Sequence, residues 1–219
     1  MIYLSSSGTT KQVQALRESG VQLGLMLTPR SYVRVALAQQ YGVWAADNGC
    51  YSQGESFNLQ DYLKWLRAMS PAKSNCLFAT APDVVGNALA TRERSRDVLP
   101  IIKEMGYKAA LVAQDGLQDM AVEWDAFDVF FVGGTTWWKL THGLVLAWEA
   151  KQRGKWVHVG RVNSLQRIRL AAQSGADSTD GTHIAFEPDI KIAQTVEWLR
   201  AMDEAPPPIA IQKVLAGFR

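Results

Sequence analysis

Two aspartates, Asp47 and Asp180, each end a predicted strand and are followed by small residues, which leaves their carboxylates accessible. Two carboxylates that share a pocket can divide a reaction between them: one attacks or stabilises a carbon centre, and the other moves protons. At a glycosidic carbon, the attacking carboxylate forms a covalent intermediate. An aspartate at the end of a strand can instead cap the following turn, so the pair alone leaves both interpretations open.

Eight short runs alternate with helical patterns, and they predict eight strands. The predicted strands are Tyr3–Ser6, Val21–Met26, Val43–Ala46, Leu77–Ala79, Ala109–Ala113, Val129–Val132, Trp156–Val159 and the segment 175–181. Strands that alternate with helices favour a parallel sheet with right-handed crossovers, and eight of them predict an α/β fold, a closed (β/α)8 barrel of the TIM type. The C-terminal ends of all strands then lie on one face, so distant polar residues converge on one site.

A doubly wound open sheet is the alternative fold. It lacks support from nucleotide-binding motifs, because no GxGxxG follows the first strand and no GxxxxGK[ST] occurs. Helices are predicted at 11–19, 31–41, 59–69, 87–105, 117–124, 137–153, 164–174 and 189–202, with a further helix at 209–219 after the proline run. An interruption of the helix at 87–105 is expected before Pro100. Asn58 is the expected N-cap of the third helix. The prediction is one domain, 1–219, in which 204–219 form a C-terminal extension.

The composition is that of a globular protein. The 219 residues are 47% hydrophobic and 20% charged, and no apolar run approaches the roughly 20 residues that span a bilayer. The N-terminus shows no secretory signal, so we expect a cytoplasmic protein that does not contact membranes. Cys50 and Cys76 are too few for a disulfide framework or a zinc cluster, and we expect both to be reduced. The net charge of +2 indicates little about partners.

Several segments resemble motifs of the tRNA-guanine transglycosylase superfamily and occur in the same order. Ala46–Tyr51 resembles the family's Asp-Ser-Gly-Gly-aromatic signature, and Gly175–Asp180 resembles its Gly-x-Asp-x-Phe-Asp segment, which contains the nucleophilic aspartate. Four further segments between them match family positions: Ala81–Asp83, Val112–Gly116, Val132–Gly134 and Val157–Gly160. The resemblance covers roughly residues 42 to 182.

The chain departs from that family in three respects. It is much shorter, it lacks the Cys-x-Cys-x-x-Cys…His zinc site that follows the barrel, and Thr179 stands where the family has an aromatic residue. A compact chain without the zinc subdomain is most similar to the phage-type 7-deazaguanine DNA transglycosylases, which the segments Gly133–Lys139 and His158–Ser164 also resemble. The resemblance implies exchange of guanine in DNA for a 7-deazaguanine base such as 7-cyano-7-deazaguanine. A phage-encoded protein of this kind would act in the host cytoplasm.

The resemblance also implies a role for each matching residue. Asp180 would attack C1′ of the target nucleoside, and Asp47 would transfer protons. Neither a metal nor an organic cofactor is implied, and the partners are DNA and the free base, with tRNA less favoured. The implied purine-binding residues stack on the base, hydrogen-bond its edges or offer backbone groups: Tyr51, Asp83, Gln114, Gly133, Gly134 and His158. Aromatic faces and fixed donors and acceptors are what recognition of a flipped base requires.

A phosphate site is expected after the seventh strand. Arg161, Asn163 and Ser164 lie between that strand and a helix, where phosphates commonly bind in barrels. Lys139, after the glycine pair, could line a nucleic-acid groove. Helix capping by Asn163 or Ser164 is the alternative explanation.

Three rival functions remain at this point. The first is a tRNA-guanine transglycosylase that lacks zinc. The second is a metabolic barrel acting on a phosphorylated small molecule; it has no obvious Schiff-base lysine at a strand end, and Lys139 is the nearest candidate. The third is a non-catalytic nucleic-acid-binding barrel, which would bind DNA in a salt-dependent manner without base exchange.

Overall fold

A computed structural model describes residues 1–6, 18, 20, 23–31, 35–40 and 42–203. Eight parallel strands form a closed barrel in sequence order, with β8 pairing with β1. The (β/α)8 prediction is therefore confirmed, and the open sheet is excluded. The strands are β1 Ile2–Ser5, β2 Leu23–Leu27, β3 Trp44–Ala46, β4 Cys76–Thr80, β5 Ala109–Ala113, β6 Val129–Val132, β7 Trp156–Val159 and β8 Ser178–Gly181.

Ten α-helices lie in the described part of the chain. They are α1 Val35–Gln40, α2 Cys50–Gln53, α3 Leu59–Ala68, α4 Ala88–Ser95, α5 Val98–Glu104, α6 Thr136–Trp138, α7 Leu144–Gln152, α8 Leu165–Gln173, α9 His183–Phe186 and α10 Pro188–Asp203. None is long and apolar enough to cross a membrane. The predicted helix at 209–219 and nearly all of that at 11–19 lie outside the described residues.

Most helix boundaries follow the local sequence signals. The Asn58 side chain accepts hydrogen bonds from the N–H groups of Gln60 and Asp61, at 2.9 and 3.1 Å, and so caps α3 as predicted. The predicted helix at 87–105 is divided into α4 and α5, with Pro100 in the first turn of α5, where a missing N–H costs little.

Two predicted helices differ from the observed structure. The segment 117–124 forms only short 3-10 turns, Leu117–Asp119 and Trp124–Ala126. Gln118 accepts a 2.6 Å hydrogen bond from the Trp138 indole, and Met120 is extended, so a tertiary contact overrides the local helical pattern. The predicted helix at 137–153 is interrupted by a π-helical turn, Lys139–Gly143.

The barrel interior is an apolar core crossed by a few polar side chains. Alternate residues of each strand point inward, and the inner cluster includes Leu4, Met26, Phe78, Val112 and Phe131. The other residues of the strands pack outward against the helices in a larger cluster. The alternation is interrupted where β3 pairs with β4, since the register shifts there and Leu77 and Phe78 both contact the inner cluster. Elsewhere the residue types at the inward positions decide what the C-terminal end of the barrel presents.

Candidate active site

A cavity of about 560 Å³ opens at the C-terminal ends of the strands. It brings together most of the residues that the sequence predicts for the site. These are Asp47, Tyr51, Asp83, Gln114, Gly133, Gly134, Lys139, Arg161, Asn163 and Asp180. His158 and Ser164 do not line it. The cavity is large enough for a planar heterocycle together with part of a sugar-phosphate chain.

Asp47 lies just beyond β3 with its carboxyl group at the cavity wall. Its backbone N–H donates to Leu27 at 2.8 Å, and its Oδ1 accepts from the N–H of Gly49 at 2.6 Å. Gly49 has φ of +79°, a conformation that favours glycine. Burial raises the pKa of Asp47 to about 7; the Gly49 N–H opposes this, and the charges of Asp180 and Asp83 add to it. A carboxyl group with this pKa gives up and takes back a proton near neutral pH.

Asp180 lies in β8 with one carboxylate oxygen held by two donors. Its Oδ1 lies 3.0 Å from Nε2 of His158 and accepts from the backbone N–H of Arg161 at 3.3 Å. The side chain is 16% exposed, and it lines the cavity. Asp180 is therefore fixed in orientation while one edge remains accessible from the cavity.

His158 does not form a wall of the cavity, contrary to the expectation from the sequence. It points into the barrel from β7, is fully buried, and packs against Phe131 and Phe78 at centroid distances of 4.4 and 5.1 Å. Burial lowers its pKa, although the hydrogen bond to Asp180 opposes this, so the imidazole is neutral near pH 7. In this position His158 contacts Asp180 and cannot stack on a base in the cavity.

A polar network links the ends of four consecutive strands. Asp83 accepts from the amide group of Asn48 at 3.0 Å on Oδ1 and from Gln114 Nε2 at 2.7 Å on Oδ2. The Gln114 Oε1 atom accepts in turn from the N–H groups of Gly86 and Gly134, at 2.9 and 3.0 Å. Burial raises the pKa of Asp83, while the two amide donors oppose that effect. This network fixes the acceptor oxygens of Asp83 in one direction along the cavity wall.

Small residues at the strand ends keep the cavity open. A Cβ atom on Gly133 would lie 2.8 Å from Nε2 of Gln114, and one on Gly160 would lie 2.8 Å from Phe131 and 3.2 Å from Oδ1 of Asp180. The two distances of 2.8 Å are too short for a Cβ contact, so a larger residue at either glycine would displace the groups that line the site.

Tyr51 and Arg161 meet at the cavity mouth. Tyr51 is 70% exposed, and the Arg161 guanidinium lies 5.5 Å from its ring centroid. The same guanidinium donates to the carbonyl oxygen of Gly134. Arg161 has φ of +58°, the only positive φ of a non-glycine residue in the described ranges. Such strained backbone is concentrated at functional sites.

Lys139 is a buried cation at the side of the cavity. Its Nζ donates to the carbonyl oxygen of Gly160. Burial lowers its pKa to about 8; the positive charge of Arg161 contributes to this, and Asp180 opposes it. Lys139 begins the π-helical turn, an irregularity that often occurs at functional sites.

Asn163 and Ser164 make capping hydrogen bonds. Asn163 Oδ1 accepts from the N–H groups of Thr182 and His183 at 2.8 and 3.2 Å, and Ser164 Oγ accepts from the N–H of Arg167 at 3.4 Å. The capping alternative thus describes their contacts in this structure. Arg167, which sequence reasoning left unassigned within the site, lines the cavity instead.

The structure adds Asn48 to the candidate site. It follows Asp47 directly, is buried, and makes hydrogen bonds to Thr80, Ala81, Asp83 and Cys50. Asn48 lies in the segment Ala46–Tyr51 that the sequence already singled out. Its contact with Asp83 could not be predicted, because the two residues lie far apart along the chain. Among the described residues, no group of three or more His, Cys, Asp or Glu side chains could hold a metal ion.

Comparison with known proteins identifies the fold. No protein-family model and no curated protein matches the sequence. One similar solved structure is the Yersinia pestis DHPS with a pterine-sulfa conjugate, with a TM-score of 0.53 and 10% sequence identity over 94% of each chain. At this level of identity the similarity supports the barrel fold alone. The resemblance to transglycosylases is carried by the sequence motifs alone.

Proposed function

We propose that this protein is a DNA guanine transglycosylase, a base-exchanging glycosyltransferase that replaces guanine with a 7-deazaguanine base. The observation that carries the proposal is the pairing of Asp47 and Asp180 on one cavity. One of these carboxyl groups has a pKa near 7, and the other is held by two N–H donors. This is the division between a proton-transfer group and a nucleophile that base exchange requires.

The exchange takes place in two displacement steps. The target nucleotide is flipped into the cavity, and a carboxylate oxygen of Asp180 attacks C1′ as the C1′–N9 bond breaks. The electron pair of that bond goes to guanine, which takes a proton from Asp47. The incoming base then gives its N9 proton to the Asp47 carboxylate, and its nitrogen attacks C1′ and releases Asp180. Both carboxyl groups end as they began.

The wall opposite the nucleophile suits a guanine-like edge. The two oxygens of Asp83 each hold one internal donor, which leaves lone pairs free to accept from the N1–H and 2-amino groups of the base. Gln114 has a second N–H on Nε2 for a base carbonyl. Tyr51 offers an exposed ring for stacking, and base–aromatic stacking contributes about 1–3 kcal/mol per base.

Cations near the mouth suit a sugar-phosphate backbone. Arg161 and Arg167 line the cavity together with the buried Lys139. We assign the phosphate contacts to the two arginines, since the side-chain oxygens of Asn163 and Ser164 are used in capping. The preference for DNA over tRNA comes from the resemblance of the segments Gly133–Lys139 and His158–Ser164 to the phage-type DNA enzymes.

The test is base exchange with labelled guanine or 7-cyano-7-deazaguanine. Duplex DNA, single-stranded DNA and tRNA are incubated in parallel with wild type, Asp180→Asn and Asp97→Asn, the last being an exposed aspartate outside the cavity. We expect label in DNA with wild type and Asp97→Asn only. Label confined to tRNA would move the assignment to the tRNA enzymes, and no label in any polymer would exclude base exchange.

A second candidate function rests on Lys139. A buried lysine with a pKa lowered to about 8 in a barrel mouth is suited to Schiff-base chemistry with a small carbonyl compound. Borohydride trapping with aldehyde and keto substrates, read by mass spectrometry against Lys139→Met, tests it. A covalent adduct at Lys139 in a protein inactive in base exchange would favour this alternative.

A further inference from the structure

A file of hydrogen-bonded side chains runs inside the barrel and ends on Asp180. Trp156 Nε1 donates to Ser178 Oγ at 2.9 Å, Ser178 Oγ lies 2.8 Å from His158 Nδ1, and His158 Nε2 lies 3.0 Å from Asp180 Oδ1. The four residues alternate between inward positions of β7 and β8, whose register pairs His158 with Ser178. The file thus runs from Trp156, at the N-terminal end of β7, to the cavity through three hydrogen bonds.

The hydrogen-bonding capacity of each group sets the direction of the file. An indole N–H can only donate, so Ser178 Oγ accepts from Trp156 and has its own proton available for His158. If Ser178 donates to Nδ1, the imidazole proton must be on Nε2. That nitrogen then donates to the Asp180 carboxylate, whereas the other tautomer would place two acceptors face to face.

We infer that Trp156 and Ser178 are positioning residues that fix His158 as an Nε2–H donor to Oδ1 of Asp180, so that Oδ2 is the oxygen that attacks. The inference rests on the proposed function, in which Asp180 is the nucleophile. Oδ1 also accepts from the N–H of Arg161 at 3.3 Å, and no described residue makes a hydrogen bond to Oδ2. The two donors stabilise the carboxylate charge when it returns on release of Asp180.

Packing alone does not account for this file. The surrounding inward positions are filled by apolar side chains such as Phe78, Val112 and Phe131, and a buried polar group is costly unless its hydrogen bonds are made. An apolar residue at 158 or 178 would fill the core at lower cost. Polar groups that follow one another up to the Asp180 carboxylate, which lines the cavity, indicate a role in orienting that carboxylate.

The test pairs variants of equal size that differ in one donor. His158→Gln keeps an N–H within reach of Asp180, and His158→Met has a similar volume without it. Ser178→Ala removes the proton that directs the tautomer, and Trp156→Phe removes the indole N–H together with part of the ring. Circular dichroism and thermal melting establish that each variant is folded. The measurements are kcat and KM of base exchange and the ¹⁵N chemical shifts of the imidazole nitrogens.

The expected results separate positioning from packing. In wild type the ¹⁵N shifts show a neutral Nε2–H tautomer for the one histidine signal, among three, that disappears in His158→Gln. In Ser178→Ala the Nδ1–H form gains population. His158→Met lowers kcat by about 100-fold with KM for DNA within about twofold, and Ser178→Ala lowers it by about tenfold. His158→Gln recovers most of the loss, which a purely structural role would not predict.

Two outcomes would overturn the inference: an Nδ1–H tautomer in wild type, or a wild-type kcat in folded His158→Met and Ser178→Ala. Absence of base exchange in wild type would overturn the proposed function instead. The ¹⁵N spectra of the same samples would then still decide whether Ser178 sets the tautomer of His158, because that measurement does not depend on turnover.

Discussion

Asp47, just beyond β3, and Asp180, in β8, interact electrostatically across one cavity. Burial is the main cause that raises the pKa of Asp47 to about 7, and the negative charge of Asp180 adds to it. The hydrogen bond from Gly49 opposes both. The pKa of Asp47 therefore depends on the charge of Asp180, the residue proposed as the nucleophile. When Asp180 becomes covalently bound and loses its charge, Asp47 becomes a stronger acid, which suits protonation of the leaving base.

Asp180→Asn tests this coupling directly. Removing the charge of Asp180 should lower the pKa of Asp47, since one of the causes that raise it is lost. Carboxyl ¹³C shifts of labelled aspartate across a pH titration measure the change, with Asp47→Asn to assign the signal. Asp97→Asn removes an exposed carboxylate and should leave that pKa unchanged. An unaltered Asp47 titration in Asp180→Asn would show that the two carboxylates do not interact.

Asp47→Asn should make the fold more stable at alkaline pH. The raised pKa means that the folded state binds the Asp47 proton more tightly than the unfolded state does. This proton binding stabilises the fold fully below the ordinary pKa of 3.8, and the stabilisation is lost as pH rises through about 7. Asparagine keeps the acceptor for Gly49 and cannot ionise. Relative to wild type, the free energy of unfolding should therefore be nearly unchanged near pH 4 and higher above pH 8 by about 4 kcal/mol, since each pKa unit corresponds to about 1.4 kcal/mol.

Urea denaturation at the two pH values measures that difference. Asp97→Asn serves as the control, because its carboxylate is exposed and its replacement should not change the pH dependence. Base exchange by Asp47→Asn should be lost at every pH, so stability and activity would change in opposite directions. A variant that is less stable than wild type at pH 8 would refute the raised pKa of Asp47.

Much of the barrel and of its site could be predicted from the sequence. The strands alternate with helices that are followed by glycines such as Gly106 and Gly154, and this pattern predicts the barrel. Because residues at the C-terminal ends of the strands meet on one face of a barrel, the sequence also predicts that Asp47 and Asp180 line one cavity, as they do. His158 points inward from β7 but lies below the cavity, packed against Phe78 and Phe131. The alternation along a strand predicts the side of the sheet on which a residue lies, and it does not predict its depth along the barrel.

Other features depended on contacts between distant parts of the chain. Asn48 acquires its role from Asp83 and from the carbonyl of Ala81, more than thirty positions away. The predicted helix at 117–124 was wrong because the Trp138 indole binds Gln118. These outcomes are set by tertiary packing and have no local signal.

Tyr51→Ala should weaken binding of the exchanged bases, whereas Tyr51→Phe should not. The ring is exposed at the cavity mouth with Arg161 at 5.5 Å, so a base stacked there would gain contact on a preformed surface. Loss of one stacking contact corresponds to roughly 10-fold in KM for the free base. Steady-state exchange with varied base concentration measures it. Equal KM values for the alanine and phenylalanine variants would exclude stacking on Tyr51.

Arg167→Gln should reduce the salt dependence of DNA binding, and Arg169→Gln should not. Both arginines lie in α8, but Arg167 lines the cavity and Arg169 points to solvent. Loss of one phosphate contact should reduce the slope of log K against log salt by about 1.

Asn163→Ala should leave that slope unchanged and instead lower the free energy of unfolding by about 1 kcal/mol, because two N–H groups lose their acceptor. Fluorescence anisotropy at several salt concentrations measures the slopes. Equal slopes for Arg167→Gln and wild type, with a reduced slope for Asn163→Ala, would assign the phosphate contact to Asn163 in place of Arg167.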